Sequence, residues 1–424
     1  LERQATTELP TTAGGRAARE AALDRALFAL MAGRPVPSLG GVLVDPGLLT
    51  YLEANGVTGV LFHHLRQGGL THLLPTEVHE ALRRDFIRRS GRNMACLAEA
   101  RKVFAALRDG GVPFLVLKGI ALAEKVYPHP AMRGTSDLDV LIPKEDLLRA
   151  DKALGGAGYR PGDGTPEAAL SNPPGYLASL EYHGPQRAFS YVHLHWHLVN
   201  TSVPATAYAA KVDMGRIWAR AVKADLAGME VRLLCPGHLV AYLCEHALRV
   251  GHSCDRLILL CDLFYTLKTG EGRLDWDEAA AEAKALGISR FVYLALAILQ
   301  SYVGGPYPGD EVLERFAPPS LSPGERLFLR LQENHRRFRG SSYLVHLALA
   351  AGPLAKARLI LRTLFPPRAI LAQRARRPMP GRTGDLYLAR AREVGTHLVG
   401  FSRLLGGRAA KRSLPDNGKR PIPP

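Results

Sequence analysis

Apolar residues recur at spacings of three and four through most of this chain, and at alternate positions in only a few short stretches. The first spacing is that of an amphipathic helix, the second that of a half-buried strand. Helical spacing opens with AALDRALFALM, from about Glu20 to Met31, and returns through residues 46–110 in YLEANGVTGVLFHHLRQ and in a long stretch from Val78 that ends on Gly110-Gly111, a suitable C-cap. His63 and His64 are adjacent on a helix, cannot face one metal together, and read as structural. The pattern changes at VPFLVL (112–117), an apolar strand, then passes through a short amphipathic helix after Gly119 to the strand bearing Asp137 and Asp139. KEDLLRADKALGGAGYR reads as a helix closed by glycines, and residues 160–175, rich in Gly and Pro, as a loop. YVHLHWHLV (191–199) alternates strictly, with Tyr191, His193, His195 and His197 on one face and Val192, Leu194, Trp196 and Leu198 on the other. Residues 210–225 read as helical and 229–236 as a short strand. From Gly237 onward four helical stretches follow, and Pro306 to Pro323 marks a boundary. A basic, amphipathic helical section occupies 323–373 and suits either a helix packed on its own domain or an interfacial membrane helix. No internal repeat is evident.

These patterns predict an α+β, helix-rich fold, in which a small mixed-sheet core at 111–235 is flanked by N-terminal (21–110) and C-terminal helical regions. The C-terminal part divides into a helical domain at 236–310 and a basic region at 311–410. Residues 1–20 and 411–424 are expected to be disordered. The active site is expected between the core and the helices of 237–305.

The core strand pair carries the candidate chemistry. Strand side chains alternate faces, so Asp137 and Asp139 point the same way, with Leu138 and Val140 on the core side. Two carboxylates on one face repel unless a cation lies between them, and hard oxygen ligands suit Mg²⁺ or Mn²⁺. Gly119, where strand turns into helix, is expected to present backbone N–H groups to an anion, with Lys118 adding positive charge beside it. Arg133, four residues before Asp137, is placed to reach a phosphate from the loop.

Strand, glycine, helix and then Asp-x-Asp on a strand resembles the nucleotidyltransferase fold shared with DNA polymerase beta, poly(A) polymerases and aminoglycoside nucleotidyltransferases. LVLKGIALAEKVYPHPAMRGTSDLDVLIP, HLHWHL, YLCEHALR, DRLILLCDL and TLFPPRA, in this order, resemble the family known as uncharacterised nucleotidyltransferases over about residues 25–400. The resemblance implies transfer of a nucleoside monophosphate from an NTP to an acceptor hydroxyl, phosphate or amine. Mg²⁺ or Mn²⁺ would be held by Asp137 and Asp139. It implies that Lys118, Gly119, Arg133 and His195 bind nucleotide or orient a carboxylate, and that His246, Arg256 and Asp262 form a buried polar cluster; an Asp262–Arg256 pair there reads as structural, since a buried charge must be paired. The chain departs from the pattern in two places. His193 stands where a third carboxylate is usual; histidine accepts a proton near neutral pH but is a poorer Mg²⁺ ligand. Glu181 and Asp213 are the nearest carboxylates that could replace it. Ile120 follows Gly119 where the wider fold has serine. Two alternatives stay open: a catalytically impaired nucleotide-binding or regulatory protein on the same frame, and a transition-metal site on the histidine strand.

Composition and charge refine this. Hydrophobic content of 47% and charged content of 22% are those of a globular protein. No apolar run is long enough to span a membrane, and the N-terminus lacks the apolar stretch of a signal peptide. Five scattered cysteines argue against a disulfide framework and for a reducing, cytoplasmic setting. Of 55 basic and 39 acidic residues, 21 and 5 lie in 321–424, leaving 34 of each sign before it. The whole basic excess is therefore C-terminal, and suits nucleic acid, an anionic membrane surface or an acidic partner.

Overall fold

The structure, a computed structural model, describes residues 13–36, 47–162, 164–170, 178–185, 188–200, 212–249, 252, 254–335, 340–350, 352–366, and 387–395 without 389 and 393. Expectations for the chain termini 1–12 and 396–424 lie outside the described residues.

Among the described residues, four α-helices precede the sheet: α1 (Ala13–Met31), α2 (Gly47–Asn55), α3 (Thr58–Gln67) and α4 (Thr76–Asp109). The first starts at Ala13, not near Glu20, although Gly14 and Gly15 are poor helix formers. The core follows as β1 (Leu115–Val116), α5 (Ile120–Lys125), β2 (Asp137–Leu141), α6 (Leu147–Gly156), β3 (Arg160–Pro161), α7 (Pro166–Leu170), β4 (Ser179–His183), β5 (Tyr191–His195), α8 (Met214–Ala219), β6 (Val222–Leu226) and β7 (Met229–Leu233). Then come α9 (Pro236–Leu248), α10 (Leu257–Thr269), α11 (Trp276–Ala285), α12 (Ser289–Val303), α13 (Asp310–Phe316), α14 (Pro323–Glu333), α15 (Tyr343–Leu349) and α16 (Gly352–Leu364).

Among the described residues, seven strands form one mixed sheet in the order β3-β4-β5-β2-β1-β7-β6. Helix-rich α+β is the class the patterns predict, with more strands than expected. Two segments differ. Residues 160–175 hold β3 and α7 within the expected loop. In 210–225 the helix stops at Ala219, and Val222–Leu226 pairs antiparallel with Met229–Leu233. VKADL (222–226) alternates apolar and polar residues and forms the edge strand beside the expected strand at 229–233. The histidine strand is also shorter than its pattern: β5 ends at His195.

The sheet divides two apolar bodies. On one face Leu138, Val140, Val192 and Leu194 pack with Val103, Phe104 and Leu107 of α4 and Leu154 of α6. On the other, Leu115, Leu117 and Leu141 join a larger cluster built with α1–α3 and α9–α12. Alternation then forces Asp137 and Asp139, which share a face with Leu141, toward the larger helical body.

Helix α4 fixes the approach to β2. Buried Asn93 donates from Nδ2 to the carbonyl oxygens of Pro130 (2.8 Å) and Arg133 (3.0 Å), and Arg92 Nε donates to Thr135 O (3.3 Å). Farther along, Glu99 accepts from the backbone N–H groups of Ala188 and Phe189, just before β5. One helix therefore holds the entries of both strands of the site.

Candidate active site

Strands β2 and β5 run parallel and in direct contact, with Asp137 opposite Tyr191, Asp139 opposite His193 and Leu141 opposite His195. The side chains of Asp137, Asp139, His193 and His195 therefore share one sheet face. Asp139 is at the centre, only 1% exposed. Its two oxygens face different neighbours. Oδ1 lies 3.0 Å from His195 Nε2 and 3.6 Å from His193 Nδ1. Oδ2 lies 2.5 Å from Lys118 Nζ, which is also 3.6 Å from Asp137 Oδ2. The cation between the two carboxylates is thus the ammonium of Lys118.

Lys118 reaches that position because the chain turns sharply after β1. Gly119 has φ +63°, a conformation side-chain-bearing residues rarely adopt, and a Cβ there would come within 3.3 Å of Asp137 O. Gly119 does not line the cavity described below. It supplies the turn that aims Lys118.

Charge in this cluster is mutually enforced. Burial would raise the Asp139 carboxyl, but Lys118 and the two imidazoles hold it well below the usual carboxylate range. Burial would lower the Lys118 amine, but Asp137 and Asp139 push it up. His195 is pushed down to about 4, chiefly by burial and then by the neighbouring His193, so it is neutral near pH 7.

The loop before β2 is anchored from the other side. Arg133 donates from Nε and Nη2 to Asp262 at 3.1 and 3.0 Å and from Nη1 to Gly134 O at 2.9 Å, while Tyr127 donates to Asp262 Oδ1 at 2.6 Å. The expected Asp262–Arg256 pair is therefore not formed. Asp262 points from α10 to the core loop, whereas Arg256, at the N-cap of α10, is exposed. The guanidinium of Arg133 is spent on Asp262 and the loop backbone.

These groups open into a cavity of about 540 Å³ between the sheet, α4 and the helices α9 and α10. Lys118, Arg133, Asp137, Asp139, His193 and His195 line it, as do His246 and Arg256 from the expected polar cluster. His197 does not; its ring bonds the Val199 backbone just past the end of β5. Two of the three alternating histidines therefore converge. Glu181 pairs directly across from His193 on β4, and Asp213 caps α8, but neither lines the cavity. The third carboxylate is not restored by either.

Sequence reading missed the wall opposite. Asp85, Arg88, Arg89 and Arg92 of α4 line the cavity, as do Tyr242 and Arg249. Asp85 is buried and binds Thr58 Oγ1, Arg88 and Arg89, the last through Nε at 2.6 Å. Gly134 leaves room for Arg89, since a Cβ there would collide with its guanidinium. The signal was available: positions 85, 88, 89 and 92 share a helical face.

The donor set fits a divalent cation. Asp139, His193 and His195 each offer a ligand atom, all within 4.8 Å of one another. His195 Nδ1 is buried without a hydrogen-bond partner, as is Thr135 Oγ1 in the cavity wall. Asp137 and Asp139 add the hard oxygens that suit Mg²⁺ carried with phosphates.

Among protein families, the one described as "Uncharacterised nucleotidyltransferase" matches residues 45–304, which takes in α4, the whole sheet, the cavity and α9 through α12. No curated protein and no solved structure matches the chain significantly.

Proposed function

Because this chain belongs to the uncharacterised nucleotidyltransferase family, we propose that it moves a nucleoside monophosphate from an NTP to an acceptor hydroxyl, phosphate or amine. The observation that carries the reading is the Lys118–Asp137–Asp139–His193–His195 cluster at the base of a cationic cavity. A volume of about 540 Å³ is in the range of small-molecule sites.

Asp137 and Asp139 would hold Mg²⁺ or Mn²⁺ arriving with the triphosphate, and the cation would neutralise charge developing around the α-phosphate. Lys118, beside both carboxylates, would add positive charge for the same phosphates. Arg89 and Arg92 meet the triphosphate from α4. Arg133 positions the loop instead of gripping phosphate. His195, neutral and bonded to Asp139 Oδ1, orients that carboxylate. His193 takes the proton of the acceptor as its oxygen or nitrogen bonds the α-phosphorus; the bond to the bridging oxygen breaks and pyrophosphate leaves. Five free cysteines, all buried, support a reducing, cytoplasmic setting.

The test is binding of each NTP with Mg²⁺ or Mn²⁺ by calorimetry, followed by label transfer from α-labelled nucleotide into cell-extract fractions. Wild type binds at least one NTP and labels an acceptor; Asp139→Asn does neither. No binding of any NTP, or unchanged transfer in Asp139→Asn, sinks the reading. The missing third carboxylate favours a second one, a nucleotide-binding protein without turnover. Binding with no pyrophosphate release from any fraction selects it.

A further inference from the structure

Among the described residues, helix α16 is packed along one side. Its inward positions, Ala355, Leu359 and Thr363, are half-buried, and none of its residues is fully buried. Thr363 accepts from Tyr343 Oη of α15 (3.0 Å) through its hydroxyl and from Arg390 Nη2 (2.9 Å) through its carbonyl. The helix is thus fastened to the protein along that side.

Its other side is apolar and open. Leu354, Leu361 and Phe365 are 74%, 57% and 62% exposed, and at i, i+7 and i+11 they form one stripe, with Ala357 between the first two. Ile360 and the nearby Leu388 are 41% and 60% exposed. Half of the ten large hydrophobics exposed among the described residues thus fall in this one segment. An apolar patch gathered this way marks an interaction surface, whereas single exposed leucines need no explanation.

Charge decides the occupant. Arg358 and Arg362 border the stripe on one side and Lys356 lies on the other, all exposed. The chain has no Asp or Glu from residue 334 to 384, a stretch holding eleven Lys and Arg. A second copy docking on this face would set like charges against each other. Nucleic acid would satisfy the cations but leave the leucines and Phe365 in water. An anionic lipid surface satisfies both, taking the apolar stripe below the headgroups and the basic side chains at their level.

We propose that α16 is an interfacial anchor that docks this protein, lying flat, on an anionic phospholipid surface. No helix of the described residues is long and apolar enough to cross a membrane, so the attachment is peripheral. The inference is independent of the nucleotidyl-transfer reading.

The experiment is flotation of the full chain with vesicles of phosphatidylcholine alone and of phosphatidylcholine mixed with phosphatidylglycerol. Wild type floats with the anionic vesicles, stays behind with the neutral ones, and is released as salt rises. Leu361→Asp lowers binding about tenfold, and Arg358→Glu with Arg362→Glu does the same. Both sets of positions are exposed, and unchanged melting confirms that the variants fold. Failure of wild type to float, equal binding to both vesicles, or full binding by Leu361→Asp overturns the proposal. So does a Leu361-dependent dimer in light scattering without vesicle binding, which would assign the face to a second copy.

Discussion

Asp139 is a carboxylate with two sides, and most of the site's behaviour follows from that. Its Oδ1 faces imidazoles and its Oδ2 faces an ammonium, so one buried charge is shared by two kinds of partner. Lys118 serves as an internal stand-in for a metal: it neutralises the Asp pair where they would otherwise repel. Removing it should therefore cost stability and expose a cation site together. Lys118→Met is expected to lose about 3 kcal/mol, the size of effect seen when one partner of a buried pair is removed. Mg²⁺ or Mn²⁺ without nucleotide should then raise the melting temperature of the variant more than that of wild type. Melting curves with and without divalent cation read both effects. Equal metal response in the two proteins would mean that the carboxylate pair does not take a metal. The alternation of Asp137 and Asp139 was legible in the sequence because strand periodicity fixes faces. That Lys118 lies between them was not, since it depends on the turn at Gly119 and on the antiparallel pairing of β1 with β2.

The loop between α5 and β2 is held by two helices, one that precedes the sheet in the chain and one that follows it. Asn93 and Arg92 of α4 take its backbone, and Asp262 of α10 takes Arg133. Arg133, read as placed to reach a phosphate, is thus paired with Asp262 while it lines the cavity. Its neighbours in sequence say nothing of Asp262, whose distance along the chain only the fold closes. The same limit explains the misread pair: Asp262 and Arg256 are close in sequence, but Arg256 precedes α10 and projects into the cavity mouth. Strand β3 was illegible for a different reason, since two residues carry no alternation, whereas β6 does alternate over VKADL but lies within a stretch read as helix. Asp262→Asn tests the fastening. It leaves the buried guanidinium without its counter-charge, so a loss of about 3–5 kcal/mol is expected. Nucleotide affinity should fall with it, because the loop leads directly into Asp137. Urea unfolding measures the first and calorimetry the second; full stability in the variant would show that Arg133 finds another partner.

At the scale of the whole molecule, positive charge is concentrated in two places with different surroundings. The C-terminal quarter carries the formal excess, and within it Lys356, Arg358 and Arg362 lie exposed on α16, next to apolar side chains. The cavity carries a local excess inside the fold: Lys118 and six arginines line it against Glu53, Asp85, Asp137 and Asp139. Part of that excess is cancelled behind the wall, where Asp262 meets Arg133 and Glu245 meets Arg249. The remainder, roughly one to three charges, is of the size that a metal-bound triphosphate neutralises. The protein without ligand therefore holds like charges together at the junction of its sheet and helices, and polyanions should relieve them. Inorganic triphosphate with Mg²⁺ is expected to stabilise the fold by about 2.7 kcal/mol at a hundredfold excess over its Kd. For a chain of this length that is a rise in melting temperature of about 3 °C. Adenosine, which lacks phosphates, should give far less, and added salt should shrink the triphosphate effect. Arg89→Ala together with Arg92→Ala should reduce the shift, whereas Arg358→Glu together with Arg362→Glu should leave it unchanged, because those cations belong to the other patch. A shift that disappears with the α16 pair and survives the α4 pair would place the polyanion on the C-terminal surface and not in the cavity.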